Sequence, residues 1–257
     1  EVGDLNSGRQ NMTGSGTTPA ALIFGGNDGS NRGYTETWNG SAWTEAGDLN
    51  TARSDLAGAT NGTTTATLAF GGGTNPKTQN ESWNGSAWTE LGDLNTGRQN
   101  LGGGGVQTAA LAFAGETVAI TESWDGTSWT EVADLATARY DLNTGGGGAT
   151  NKAGLAFGGN APPATAVTES WDGSSWTEVG DLNTARRYPG AAGTSTAALG
   201  FGGGIHITGK TEKWNGTNWT EVNDLNTARN ELAGAGETNT EALAFGGIEP
   251  PVSTKTE

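Results

Sequence analysis

The chain has 257 residues, a third of them apolar as suits a globular protein, with 45 glycines, 10 tryptophans and no cysteine. Its formal charge of −15 disfavours nucleic acid and anionic lipid as partners, because such a surface repels phosphate. No apolar run approaches the ~18 residues of a membrane-spanning helix, so no membrane insertion is expected, and without cysteine neither disulfides nor thiolate metal sites contribute. The opening residues carry neither the basic nor the apolar region of a signal peptide, and the segment is expected to be a mature or excised piece.

In chain order, the first element is a polar segment, Asp4-Leu-Asn-Ser-Gly-Arg9. Close variants of it end at Arg53, Arg98, Arg139, Arg186 and Arg229, at intervals of 41 to 47 residues. After each arginine comes a strand of small residues, as in Leu232-Ala-Gly-Ala-Gly236. A polar turn then leads to an apolar strand carrying Phe24, Phe70, Phe113, Phe157, Phe201 or Phe245 and closed by glycine. A loop of variable sequence follows, then a Thr-Glu-Ser-Trp strand, an Asn-Gly or Asp-Gly turn, and a Trp-Thr-Glu-Val strand. Tryptophan pairs occur five times, at 38/43, 83/88, 124/129, 171/176 and 214/219.

The sixth pair is missing where the chain ends meet. Lys255-Thr256-Glu257 matches the residues before a tryptophan, and Glu1-Val2-Gly3-Asp4-Leu5 matches those after a Trp-Thr pair, so joining the ends skips about eight residues of a repeat. No segment shows the apolar stripe of a helix. Four antiparallel strands in each unit of about 40 to 50 residues is the signature of a β-propeller. The expectation is an all-β, six-bladed propeller of four-stranded antiparallel blades, one domain over residues 1–257. Its seam repeat is split between the termini and the ring is closed by strands from both. Within the hairpins, Asn39-Gly40 is expected to form a two-residue type I′ turn, with Trp38 facing Ser41 and Trp43 facing Glu36. The two indoles of each pair then share a face and pack against the next blade.

This pattern, an apolar strand ending in a glycine pair, then an aromatic and a tryptophan, with an arginine opening the next unit, resembles the kelch repeat over the whole chain. Kelch units place a longer loop between the aromatic and the tryptophan, which Asn-Gly shortens here. The wording "SWNGxxWTEVxDLNTAR" is also similar to kelch-like repeats encoded by marine bacteriophages, often beside virion structural genes. That resemblance implies a virion or extracellular location.

Several motifs dissolve into turn chemistry. Gly204-Ile-His-Ile-Thr-Gly209-Lys210-Thr211 has phosphate-loop spacing, but such a loop needs a helix opening at the lysine, and Lys210-Thr211 leads into a strand. His206 is the single histidine, so no histidine cluster or Ser-His-Asp set exists, and no metal or other cofactor is expected. Acidic residues outside the repeat consensus include Asp28, Asp55, Asp141, Glu116 and Glu249, and none matches a catalytic role, so the protein is not expected to be an enzyme.

The recurring arginines, Arg9, Arg53, Arg98, Arg139, Arg186 and Arg229, have two readings. One is a local link to the aspartate five residues earlier; the other is a basic ring at the channel mouth, available to a ligand carboxylate or sulfate. The copies differ most in the two residues after each arginine and in the loop after each glycine pair, and in a four-stranded blade both emerge on one face. A constant scaffold with one varied face suits recognition. Tyr140, Arg187 and Tyr188 fall there and are expected to contact a ligand. The expected function is a binding module, a receptor- or glycan-binding part of a phage tail fibre or virion surface. Its partners are a host-surface glycan or protein, or other virion proteins. The alternatives are a purely structural virion propeller and a polysaccharide-acting enzyme.

Overall fold

Small residues dominate the inner strands because neighbouring blades approach there too closely for larger ones. A Cβ on Gly103 would lie 2.7 Å from the ring of Phe70 in the preceding blade, and one on Gly234 would lie 2.5 Å from Phe201. The computed structural model describes residues 2–73, 75, 77–142, 150–249 and 252–257. Among these there is no helix, and every sheet is antiparallel with strands in simple up-and-down order.

The first blade is β1 (Thr13–Thr17), β2 (Ala20–Phe24), β3 (Thr35–Trp38) and β4 (Trp43–Ala46). The second is β5 (Ala57–Gly58), β6 (Thr67–Phe70), β7 (Asn80–Trp83) and β8 (Trp88–Glu90), and the third is β9 (Gly102–Val106), β10 (Ala109–Phe113), β11 (Thr121–Trp124) and β12 (Trp129–Val132). The fourth has three strands, β13 (Gly154–Phe157), β14 (Thr168–Trp171) and β15 (Trp176–Glu178); the small-residue strand expected there falls on 143–149, outside the described residues. The fifth is β16 (Gly190–Thr194), β17 (Ala197–Phe201), β18 (Thr211–Trp214) and β19 (Trp219–Val222). A last sheet holds only β20 (Ala233–Thr238) and β21 (Glu241–Phe245).

The expectation of six four-stranded blades is therefore corrected: the propeller has five blades and a small two-stranded sheet. Beside β21 only a short stretch pairs, with Glu257 exchanging backbone hydrogen bonds with Ala244 at 2.8 and 2.9 Å, and no third strand forms. Segments of both termini meet at this sheet without forming named strands of it. Instead Val2 and Leu5 donate backbone hydrogen bonds to Thr256 and Thr254, at 3.1 and 2.8 Å, and Thr256 makes an isolated bridge to Phe245. A more regular device ties the sheets together. The second residue after each aromatic donates its N–H to the carbonyl of the next unit's arginine, from Gly26 to Arg53 (2.9 Å) round to Gly247 and Arg9 (3.0 Å).

The tryptophan hairpins also differ from expectation. Trp38 and Trp43 are direct cross-strand partners, as are Trp83 and Trp88, so four residues form the loop instead of two. Asn39 Oδ1 accepts from the N–H groups of Ser41 and Ala42, at 2.9 Å each, and this side-chain cap stabilises the longer turn. Each indole pair stacks at 5.3–5.5 Å between ring centroids and is buried. The second tryptophan packs on the phenylalanine of the preceding sheet, as Trp88 does on Phe24 (4.8 Å), and donates its indole N–H to a threonine there, Thr35 Oγ1, at 2.9 Å.

Candidate functional site at the channel mouth

The six recurring arginines are fully buried, and their partner is glutamate. Arg9, Arg53, Arg98, Arg139, Arg186 and Arg229 pair with Glu36, Glu81, Glu122, Glu169, Glu212 and Glu257, at 2.5–3.1 Å where Arg186–Glu212 is set aside; each glutamate but Glu81, which follows Asn80, follows a threonine, and the first five stand two residues before a tryptophan. The other carboxylate oxygen accepts a backbone N–H from the segment before the arginine, as Glu122 does from Asn95 at 2.7 Å. The guanidinium also donates to a strand carbonyl, from Arg98 to Ala112 O at 3.0 Å. Both sequence readings are corrected by this geometry. The link runs to a glutamate about 25–30 residues downstream rather than to the nearby aspartate, and no basic ring faces solvent. Each arginine clamps the crossover between blades onto the blade it enters.

The two residues after each arginine behave in opposite ways. The first joins the loop that follows the glycines through backbone hydrogen bonds: Gln10 with Asn27, Tyr140 with Asn160, and Asn230 with Ile248. Ser54, Gln99 and Arg187 likewise accept from Gly73, Glu116 and Gly204. The second residue is left-handed in every unit: Asn11, Asp55, Asn100, Asp141, Tyr188 and Glu231 all have φ between 53° and 56°. Asn and Asp tolerate this conformation, but Tyr188 and Glu231 are strained in it unless their surroundings impose it. Here a belt of amides does so. Asp55 donates to Asn11 O, Asn100 to Asp55 O, Tyr188 to Asp141 O, Glu231 to Tyr188 O and Asn11 to Glu231 O, at 2.8–3.3 Å.

The belt surrounds a small cup of about 40 Å³ lined by Asn11, Asp55, Asn100, Tyr188 and Glu231, with Met12, Leu56, Leu101, Leu142 and Leu232 as its apolar part. Around the belt, neutral and acidic side chains alternate. Burial raises the acid constants of Asp55 and Asp141 above the ordinary aspartate value. Burial, then the charges of Asp55 and Asp141, pushes Glu231 up to about 7. Tyr188 is raised too, by burial and then by Asp141. The other variable acids are neutralised locally: Asp28 by Arg32 (2.8 Å), Glu116 by Lys77 (2.6 Å) and Glu249 by Lys255 (2.9 Å).

Tyr140, Arg187 and Tyr188 all lie on this face and are half-buried. The Arg187 guanidinium lies 5.7 Å from the Tyr188 ring centre, and the Tyr140 hydroxyl accepts from Asn160 Nδ2 at 3.0 Å. Sequence reasoning placed Asn11, Asn100 and Glu231 among the varied pairs after the arginines but missed the belt they form. The signal was the fixed offset of two residues from each arginine. Elsewhere, Gly204–Lys210 is a turn running into β18, with Lys210 paired to Glu221, so it forms no phosphate loop. Among the described residues no group of three or more His, Cys, Asp or Glu is disposed to hold a metal ion, and no helix is long and apolar enough to cross a membrane.

The succession of small antiparallel sheets, tied in sequence by glycine–arginine hydrogen bonds and closed between Gly247 and Arg9, decides the fold. The chain is a β-propeller. Kelch-type repeats are consistent with it. No protein-family model matches the chain, and no curated protein sequence matches it. A solved structure described as "Structure of YjhT" is similar over 99% of this propeller and 95% of that chain, with a TM-score of 0.77 at 13% identity. At that identity the likeness is one of fold alone.

Proposed function

We propose that this propeller is a non-enzymatic recognition module that holds its target on the face around the channel mouth. The observation that carries the reading is the backbone pairing of the two variable segments. It sets Gln10, Tyr140 and Asn230 beside Asn27, Asn160 and Ile248, around a belt whose side chains differ from unit to unit. The tryptophan hairpins at the outer edge stay nearly constant. With the six arginines buried against glutamates and Asp55, Asp141 and Glu231 on the belt, this face suits a neutral or cationic ligand. An anionic sugar or sulfate would be repelled. Hydroxyl-rich ligands fit the mix of tyrosine, arginine, asparagine and carboxylate. The similarity of the repeats to phage-encoded ones supports a place on a tail fibre or virion surface, with a host-surface glycan or protein as target.

A glycan and host-cell binding screen tests this. Neutral or amino-sugar glycans are expected to bind, and Tyr140→Ala with Arg187→Ala to abolish binding while the fold persists. Ser41→Ala or Thr127→Ala in the hairpin loops should leave binding intact, and loss of binding from those changes instead would overturn the assignment of the face. A second reading, action on a polysaccharide, draws on Glu231, whose constant is raised to about 7 by burial and then by Asp55 and Asp141. Release of reducing ends that Glu231→Gln abolishes would favour it.

A further inference from the structure

Arg9 is the exception among the recurring arginines. Every other one donates to at least one strand carbonyl, as Arg53 does to Ala69 O and Arg98 to Ala112 O, at 3.0 Å each. Arg9 keeps its ion pair with Glu36 at 3.0 Å, yet its Nε and Nη2 have no hydrogen-bond partner although the side chain is 0% exposed. A buried donor in that state carries a desolvation cost that a ligand's acceptor would recover.

Beside it lies a cavity of about 560 Å³ in the first blade, walled by Ser7, Arg9, Tyr34, Glu36, Glu45 and Asp48. Two of these walls are peculiar to the first unit. Tyr34 stands where the others carry Gln79, Ile120, Val167, Lys210 and Lys255, and Ser7 stands where they carry the larger threonine. The Tyr34 ring is half-buried, with the Arg9 guanidinium 5.8 Å from its centre and that of Arg32 at 5.4 Å. Glu45 and Asp48 are exposed at the rim. These groups select among ligands by charge. An anion meets three carboxylates, and a cation leaves the Arg9 donors unanswered. A hydroxyl both donates and accepts, and a pyranose sets several of them around an apolar C–H face that suits the tyrosine ring. The volume is that of a small-molecule pocket, whereas the cup inside the belt, at about 40 Å³, has room for little more than a water.

We infer that this cavity is a binding site for one neutral pyranose unit, which stacks on Tyr34, accepts from the buried Arg9 guanidinium and donates to Glu45 and Asp48. Its lining shares no residue with the cup inside the belt, so the site stands or falls apart from the channel-mouth reading.

The test is calorimetric titration of the intact chain with the methyl glycosides of glucose, galactose, mannose and N-acetylglucosamine. Saturable one-to-one binding of at least one is expected, with the corresponding uronic acid and 2-amino sugar weaker. Tyr34→Val, which installs the residue that the fourth unit carries at this place, should weaken binding at least about tenfold through loss of the stacking face. Glu45→Ala with Asp48→Ala, both at exposed positions, should weaken it too and decides the matter should Tyr34→Val fail to fold. Tyr140→Ala with Arg187→Ala should leave the affinity for these sugars unchanged. No saturable binding of any of the four, unchanged affinity in either folded variant of the cavity, or tighter binding of the uronic acid would overturn the proposal. So would loss of binding in Tyr140→Ala with Arg187→Ala alone, which would put the sugar at the channel mouth and support that reading instead.

Discussion

Replacing Asn80 by threonine should stabilise this protein, although the change removes an existing hydrogen bond. At four of the junctions the inward indole N–H rests on a threonine hydroxyl, but Trp129 packs on Phe70 (4.9 Å) where the corresponding strand residue is Asn80. Both Trp129 Nε1 and Asn80 Oδ1 are buried without a hydrogen-bond partner. A buried donor left unpaired costs about 1–3 kcal/mol. Threonine at position 80 would offer Trp129 the acceptor that Thr35 offers Trp88. The change forgoes the bond from Asn80 Nδ2 to Gly92 O (3.2 Å), a part-buried contact to a carbonyl near the surface, at roughly 0.5–1.5 kcal/mol. The net gain is about 1 kcal/mol, or a rise in melting temperature of roughly 2–4 °C for a chain of this size. Thermal melts and guanidinium midpoints of Asn80→Thr would measure it. The reciprocal change Thr35→Asn should orphan Trp88 and lower the midpoint by a comparable amount. A melting temperature that falls with Asn80→Thr while Thr35→Asn is neutral would refute the reasoning, since the indole–threonine bond would then contribute nothing.

The belt makes stability depend on pH. The constant of Glu231 is raised to about 7 by burial and by Asp55 and Asp141, so its contribution is fully present below about 4.5, the ordinary glutamate value, and is lost as pH rises through about 7. Glu231→Gln should therefore stabilise the chain at pH 8 by about 1–2 kcal/mol, after discounting for solvent around a half-buried carboxyl, and have little effect at pH 4; melts at the two pH values check the sign. Arg98→Leu leaves Glu122 buried without its counter-charge and should cost about 3–5 kcal/mol, read as a drop in the denaturation midpoint. Trp88→Ala removes the indole from Phe24, Trp83 and Thr35 and should cost about 3–5 kcal/mol in the same assay, and an unchanged melt would mean that the junctions do not depend on it.

Much of the scaffold was legible from residues alone. The recurrence of arginine, phenylalanine and paired tryptophans sets the strand order of each unit, because alternation along a strand and turn chemistry are local properties. Which residues vary was equally plain. What local patterns could not reveal were partners brought together by the ring. The arginine's counter-ion is a glutamate on the third strand that follows it, as in Arg98–Glu122, a pairing set by the fold and not by local spacing. The tryptophan register turned on whether the Asn39 side chain capped the turn, a choice between two hairpins of similar sequence preference. The left-handed belt at Asn11, Asp55, Asn100, Asp141, Tyr188 and Glu231 exists because each residue hydrogen-bonds a neighbour about one repeat away, which no propensity encodes. The count of complete blades was likewise a tertiary matter. Repeat arithmetic weighs every unit equally, whereas the β20–β21 sheet has only two strands.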